Sequence, residues 1–266
     1  MLGGSLGMAL RRRGLARHVI GWGRHVHSLE QAQQCGAVDA IESDLRTACH
    51  AADLVVVCTP VASIVPYVRL CLAAMSPSGL ITDVGSTKHT ICSELGGAAA
   101  QRFCGSHPLA GSDKSGVEFA SADLFEGRLT VVTPANETPS ELVQRTEAVW
   151  QAVGSRTLRM SPSEHDQGVA HTSHLPHIVA SALAAATPGE LLPLAASGWC
   201  DTTRVAAGGV ELWRQILLEN RQPVLQALEA FADSLAPWLE ALRHGDSQQL
   251  AHLLQAGKQQ RDSVGN

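Results

Sequence analysis

The sequence predicts an α/β domain with a mainly parallel sheet, followed by an all-α domain. Three observations support this division. Short β-branched runs alternate with helical patterns up to about residue 160, the segment AADLVVVCTPV at 51–61 contains a continuous apolar run, and no convincing strand occurs between 163 and 261. Alternating strands and helices are typical of βαβ units, and a continuous apolar strand is typical of a sheet covered on both faces. We place the domains at 1–161 and 162–266.

The elements of the first domain follow from apolar runs bounded by Gly, Pro and polar residues. Strands are predicted at 18–23, 51–61, 80–86, 128–134 and 155–160, with a further strand that ends near Ser106. Helices are predicted from about Ser5, over 28–37, over 63–75 despite Pro66, near 89–100 and over 139–154.

The second domain carries apolar residues at helical spacing in three segments, which are HIVASALAAA, the long run 210–242 and SQQLAHLLQAGKQQR. Its large apolar content predicts that the protein is a homodimer.

Composition excludes several classes of function. A net charge of −5 and an aromatic content of 4% argue against a nucleic-acid surface. No apolar run reaches the roughly 18 residues that span a bilayer. The seven cysteines include no C-x-x-C pair, which favours reduced thiols in a cytoplasmic protein. No Cys/His cluster has the spacing of a zinc site, so we expect no metal.

The segment Gly3-Gly4-Ser5-Leu6-Gly7 resembles the second half of the glycine-rich turn that binds a dinucleotide in Rossmann-type domains. Only two residues precede Gly3, so we expect the first strand and the start of the G-x-G-x-x-G fingerprint to be missing. An organelle transit peptide is an alternative for this arginine-rich segment, but we favour a place in the fold.

The ends of the next strands predict further cofactor contacts. An NAD-preferring site usually has Asp or Glu where Gly23 stands here, and Arg24 follows. A missing carboxylate and an added guanidinium favour NADP over NAD, unless Arg24 is merely solvated. Thr59 and Pro60 are predicted to lie along the ribose and pyrophosphate, although Pro60 alone would also end a strand.

Two strand ends carry polar groups suited to catalysis. Ser86 follows one strand and His107 the next, so both are expected near the nicotinamide. A neutral imidazole there accepts a hydrogen bond from a substrate hydroxyl, and Ser86 orients the ring or the hydroxyl. The alternative is an exposed loop histidine, but Gly105, Pro108 and Gly111 indicate a fixed loop.

In the helical domain, Arg204 is a candidate for binding a carboxylate, with Asp201 holding it in place. A surface salt bridge between the two is the alternative. His171, His174 and His177 lie three residues apart, but no carboxylate joins them in helical register, so a metal site is disfavoured.

Six motifs resemble those of the prephenate/arogenate dehydrogenase family of tyrosine biosynthesis, in the same order and over nearly the whole chain. They are GGSLG at 3–7, D-x-G-S-x-K at 83–88, HPLAGS at 107–112, SHLPH at 173–177, DTTR at 201–204 and Leu212-Trp213.

The resemblance implies a Rossmann domain followed by a helical dimerisation domain, and oxidative decarboxylation of a cyclohexadienol with hydride transfer to NAD(P). It also implies site roles. His107 matches the catalytic histidine that binds the ring hydroxyl, Ser86 its supporting serine, and Arg204 the arginine that grips a substrate carboxylate. Residues matching the lining of the substrate pocket are Ser173, His177, Asp201 and Trp213.

Asp113 stands where some relatives have a longer acid. It is expected either to pair with the ammonium of arogenate or to be a solvated loop residue, so prephenate and arogenate both stay open as substrates.

Two alternatives differ in class. A catalytically silent dinucleotide-binding or dimerisation protein would fit the incomplete fingerprint, but not the retention of Ser86, His107 and Arg204. A β-hydroxyacid dehydrogenase would need a suitably placed lysine in the helical domain, and Lys88, Lys114 and Lys258 are poorly placed for that role.

Overall fold

The computed structural model describes residues 1–111 and 116–264, in two compact units, Met1–Asn220 and Arg221–Asn266. The strands and helices of the first unit are, in chain order, α1 (Leu2–Arg12), β1 (Ile20–Gly21), α2 (Val26–Gln34), β2 (Ala40–Ile41), α3 (Leu45–His50), β3 (Leu54–Val57), α4 (Val61–Ala74), β4 (Leu80–Asp83), α5 (His89–Glu94), β5 (Gly105–Pro108), β6 (Leu129–Thr133), α6 (Ser140–Ala152), β7 (Arg156–Arg159), α7 (Pro162–Val169), α8 (Leu175–Ala186), α9 (Ser197–Thr203) and α10 (Val210–Glu219). The second unit consists of α11 (Arg221–His244) and α12 (Ser247–Asp262).

The strands form three hydrogen-bonded groups. β1 pairs with β2 and β3 pairs with β4, both in parallel. In the third group β6 pairs with β7 in parallel and with β5 in antiparallel orientation. An antiparallel pair needs no helical crossover, which agrees with the absence of an α-helix from the described residues between β5 and β6. The α/β class of the first domain is therefore confirmed, with one antiparallel pairing in an otherwise parallel arrangement.

Helices cover both faces of β4. Successive strand residues point to opposite faces, and Leu80 and Ile81 accordingly belong to different apolar clusters. Ile81 packs with Ile64 of α4 and with Phe103, whereas Leu80 packs with Trp150 of α6. This double cover explains why the strand sequences are apolar without alternation.

β2 and α3 are absent from the sequence-based prediction. β2 has only two residues and α3 only six. Elements of this length fall below the window in which apolar periodicity can be recognised. Asp44 nevertheless gives α3 a regular start, because its carboxylate accepts the backbone N–H of Thr47 at 2.9 Å.

The glycine segment at 3–7 differs from the prediction. We expected a turn before a helix from about Ser5, but α1 already begins at Leu2, so Gly3 and Gly4 lie in its first turn. Gly7 is required by a close approach, since a Cβ atom there would collide with the carbonyl oxygen of Ala37.

From Pro162 onward the described chain is helical, as predicted. Ser161 and Glu164 form a capping box that starts α7. A π-helical turn at Ala170–His174 joins α7 to α8. The predicted domain boundary at 161/162 coincides with the start of α7, whereas the compact units separate after Asn220. The boundary therefore stays a prediction.

Within the described residues, no helix has both the length and the apolar character needed to span a membrane.

Candidate active site at the ends of β4 and β5

A buried ion pair shapes the loop after β4. Asp83 and Lys88 have no exposed side-chain surface and form a salt bridge. Lys88 Nζ also donates to the carbonyl of Ser106 at 2.9 Å, and Asp83 Oδ1 accepts the Ser106 N–H at 3.1 Å. Buried charges are tolerated only when they are paired in this way. The Asp and Lys of the D-x-G-S-x-K motif therefore tie the Ser86 loop to β5.

His107 lies within β5, one residue beyond the predicted end of this strand near Ser106. Its ring is partly buried, and Nδ1 is 2.9 Å from Nε2 of His165, with the two rings edge to face. Burial lowers the pKa of His107 well below its usual value, and the neighbouring His165 and Lys88 lower the pKa further. At neutral pH the imidazole is therefore uncharged and able to accept a proton.

Sequence reasoning missed His165 and Asp166. His165 Nδ1 lies 2.7 Å from Asp166 Oδ1, so His107, His165 and Asp166 form a continuous chain of hydrogen bonds. The two residues are adjacent in the eight-residue helix α7 and match no motif that we considered. Only the approach of α7 to β5 brings them to His107.

Ser86 is partly buried in the loop after β4. Within the described residues no hydrogen bond joins Ser86 to His107, whose Nδ1 pairs with His165 instead. The prediction that Ser86 orients the ring directly is therefore not reproduced, and a contact between Ser86 and the substrate hydroxyl stays a prediction.

Aromatic stacking organises part of the predicted substrate pocket. His177 stacks on Trp213, with ring centroids 3.6 Å apart and planes inclined by 10°. The ring of His174 meets Trp213 edge-on, and its Nδ1 is 3.1 Å from Asn220 Nδ2. Burial lowers the pKa of His174 to about 4. Ser173 is exposed on the π-helical turn, a feature that is frequent at functional sites.

Asp201 and Arg204 are both exposed, at the start of the last turn of α9 and just after it. No ion pair between them is present in the described part of the chain. The structure thus does not support the prediction that Asp201 holds Arg204 in place by an ion pair.

Among residues 1–111 and 116–264, no three potential metal ligands come together. Asp113 lies outside the described residues.

The first turn of α1 adjoins the end of β3. A Cβ atom on Gly3 would lie 3.2 Å from Cys58 Cβ, and one on Gly4 would lie 2.8 Å from Val117 Cγ2. The Ser5 hydroxyl accepts the N–H of Ser121 at 3.0 Å, and the Leu6 side chain is buried in the core. The side chains of Ser5 and Leu6 therefore serve packing, and the Ser5 N–H donates to the carbonyl of Met1 at 2.9 Å. The first-turn N–H groups of Gly3 and Gly4 are the ones that lack a partner within the helix.

Two further cofactor candidates follow β3, and one follows β1. Thr59 has a buried hydroxyl oxygen with no hydrogen-bond partner in the described structure, and Pro60 immediately precedes α4. Arg24 lies beyond β1 and is exposed. A buried hydroxyl without a partner is costly, so Thr59 is suited to bind a polar ligand group.

A mainly parallel α/β domain with a helix N-terminus close to one strand end is typical of nucleotide-binding domains, and His107 at another strand end is a candidate acid–base group. Family models match both parts of the chain. Residues 6–159 match the nucleotide-binding domain of prephenate dehydrogenase, and residues 161–256 match its dimerization domain. The chain belongs to the prephenate dehydrogenase family.

Individual relatives agree with this assignment. Prephenate dehydrogenase of Bacillus subtilis is 30% identical over 99% of this chain and 74% of its own length. The structure of prephenate dehydrogenase from A. aeolicus, in complex with hydroxyphenyl propionate and NAD+, has a TM-score of 0.91 at 30% identity, covering 99% of this chain and 94% of that one. Arogenate dehydrogenase of Synechocystis has a TM-score of 0.83 at 31% identity, covering 99% and 96%.

Proposed function

We propose that the protein catalyses the oxidative decarboxylation of prephenate or arogenate, with hydride transfer to a nicotinamide dinucleotide. The observation that carries this proposal is the uncharged His107 at the end of β5, held by His165 at 2.9 Å. The activities named for the Bacillus and Synechocystis relatives support it.

The chain's own residues supply proton transfer and orientation. His107 accepts the proton of the ring hydroxyl as hydride leaves the carbon that bears it. The bond to the ring carboxylate then breaks, carbon dioxide leaves, and the electron pair restores aromaticity. His107 returns its proton to the oxygen as the phenol forms. The buried pair of Asp83 and Lys88 keeps the Ser86 loop in place beside this histidine.

The residues present fit a dinucleotide. Gly3 allows α1 to approach the end of β3 closely, and the N–H groups of a first helical turn lack partners within the helix and favour phosphate. Thr59, next to Cys58 in the chain, has a buried hydroxyl without a partner in the described structure and offers a further hydrogen bond. Together with Gly4, Ser5, Leu6 and Pro60, these residues are proposed to hold the cofactor, which supplies the hydride acceptor.

Preference for NADP over NAD is part of the proposal. Arg24 is exposed beyond β1, and no carboxylate occurs at 22–25 to bind a ribose hydroxyl or repel a phosphate. A guanidinium suits a 2′-phosphate.

The substrate carboxylate is assigned to Arg204, and the ring to a pocket with His177, Trp213 and Ser173. Support comes from the stacked His177 and Trp213 and from the exposure of Arg204. Asp201 lies at the same pocket in this proposal, and Asp113 is the candidate partner for an ammonium group in arogenate.

A homodimer is proposed, because α11 exposes Leu235, Leu239 and Leu242 at helical spacing and relatives share a dimerization domain. A mass in solution of about twice 28.1 kDa is the result expected for a homodimer.

The predicted cytoplasmic location is supported by the seven free thiols.

The test of function is an absorbance assay of NAD(P)H formation with prephenate and with arogenate. The variant His107→Asn should lose about two to four orders of magnitude in kcat, because general-base assistance contributes that much. The exposed His50 gives a matched control, and His50→Asn should retain full activity. If the wild-type protein binds dinucleotide but oxidises neither substrate, a silent binding protein replaces this proposal.

A further inference from the structure

His165 stands between a fixed carboxylate and His107. The residue is 1% exposed, with Nδ1 2.7 Å from Asp166 Oδ1 and Nε2 2.9 Å from His107 Nδ1. Both ring nitrogens are thus engaged, and the ring is shielded from water. Such a bridging histidine can control which nitrogen of its neighbour carries a hydrogen.

Asp166 is held more firmly than a surface carboxylate. Its two oxygens accept the backbone N–H groups of Lys88 at 2.7 Å and His89 at 2.9 Å, besides the hydrogen bond from His165. Its own backbone carbonyl accepts from Asn220 Nδ2 at 2.7 Å. The carboxylate therefore has a fixed direction, and it links α7 to the end of the loop that carries Ser86.

The hydrogen-bond directions follow from the carboxylate. A carboxylate only accepts, so His165 Nδ1 must donate to Asp166. When the ring of His165 carries a single hydrogen, on Nδ1, its Nε2 has a lone pair and accepts from His107 Nδ1. His107 is left with its lone pair on Nε2, the nitrogen that points away from this chain of hydrogen bonds. This is the nitrogen that can accept a proton from a ligand.

We propose that His165, oriented by Asp166, is a positioning residue that fixes His107 in the tautomer with a hydrogen on Nδ1 and a free lone pair on Nε2. The proposal rests on the proposed function, in which His107 accepts the substrate's hydroxyl proton. Its own content is the tautomer, which exists without substrate or turnover.

Two substitutions of His165 separate its two hydrogen bonds. The amide of Gln reaches the place of Nε2, so His165→Gln keeps an acceptor for His107 and gives up the bond to Asp166. The amide of Asn reaches the place of Nδ1, so His165→Asn keeps the bond to Asp166 and removes the acceptor. We expect His165→Asn to lower kcat about ten- to a hundredfold, within the general-base contribution, with KM changed less than about threefold. His165→Gln should recover most of that loss.

The tautomer is measured directly by ¹⁵N NMR of histidine side chains in the ligand-free wild-type protein. The His107 signals are assigned as those missing from His107→Asn. Hydrogen on Nδ1 in the wild type, and a mixture of tautomers in His165→Asn, is the expected result. Hydrogen on Nε2 of His107 in the wild type, or equal kinetic effects of the Gln and Asn substitutions, would overturn the proposal.

Failure of this proposal is distinguishable from failure of the proposed function. If the wild type oxidises neither prephenate nor arogenate, the function fails while the NMR result still reports the tautomer. If the wild type is active but His107 carries its hydrogen on Nε2, the function stands and the role given to His165 is wrong.

Discussion

Asp83 and Lys88 form an ion pair from which water is excluded, and both also bind the backbone of Ser106. Removing one partner of a buried pair leaves an uncompensated charge and costs about 3–5 kcal/mol. These two residues therefore hold β4 and β5 together, with the Lys88 amine bonded to both Asp83 and the carbonyl of Ser106. Asp166 is likewise held in place, because its carboxylate accepts three hydrogen bonds.

Arg24 is the residue on which cofactor preference is predicted to depend. Replacement by Gln would remove the proposed charge-assisted hydrogen bond to a 2′-phosphate, a kind of bond worth about 1.5–3 kcal/mol. We expect Arg24→Gln to lower kcat/KM for NADP+ by about ten- to a hundredfold and to leave kcat/KM for NAD+ nearly unchanged. Initial rates at varied cofactor concentration measure both values.

Arg17 supplies the control, since it is equally exposed and carries the same charge. Arg17→Gln should alter neither cofactor's kcat/KM. A parallel fall for both cofactors in Arg24→Gln would instead mean that Arg24 contacts no 2′-phosphate.

At the scale of single elements, α1 combines the features of a cofactor helix with tight packing. Its basic end is anchored, because Arg12 pairs with Asp123 and Arg13 with Glu126. Its N-terminal half lies against neighbouring backbone, with Gly7 at the carbonyl of Ala37. The position of α1 is thus fixed at both ends by contacts that a longer side chain at Gly7 would disturb.

Gly7→Ala tests this packing. A helix normally gains about 1 kcal/mol when Ala replaces Gly, but here the new methyl group meets backbone, which cannot rotate away. We expect the free energy of unfolding to fall by about 1–3 kcal/mol, the usual cost of overpacking. Denaturant titration measures it.

Gly168 in α7 is the matched helical control, because a Cβ atom there would have no heavy atom within 4 Å. Gly168→Ala should leave stability unchanged or raise it. Equal or greater stability of Gly7→Ala would show that α1 can move away from Ala37 at little cost.

Over the whole molecule, buried neutral histidines link folding to pH. The pKa of an unfolded histidine is about 6.5, whereas burial lowers that of His174 to about 4 and that of His107 well below its usual value. Between pH 6.5 and 4 the unfolded chain binds protons that the folded form does not. Stability is therefore fully present above pH 6.5 and is lost as the pH falls through this window.

We expect His174 to contribute up to about 1.4 kcal/mol of lost stability for each pH unit between 6.5 and about 4. Urea unfolding at pH 7, 6 and 5 should show a shallower pH dependence in His174→Asn than in the wild type. The exposed His252 serves as the control, and His252→Asn should keep the wild-type slope. Identical slopes for all three proteins would mean that His174 is protonated as readily in the folded form as in the unfolded one.

Local sequence determined the α/β class, the change to helices near Pro162 and the strand ends that carry the candidate residues. These features depend on runs of apolar residues, glycines and prolines, which act over a few positions. It also singled out His107, Arg204 and the stacked pair of His177 and Trp213 by their motifs. Short elements such as β2 and the early start of α1 were missed, because two or three residues carry too little pattern.

Tertiary structure alone decided how those residues are connected. His107 and His165 are 58 positions apart, and Lys88 and Asp166 are 78 positions apart. No local pattern specifies such contacts, since they arise from the packing of α7 against β5 and the loop after β4. Sequence thus supplied the histidine that can accept a proton, and the fold supplied the neighbours that keep it uncharged and fix its direction. Burial and hydrogen bonding, which set both properties, exist only once distant segments have come together.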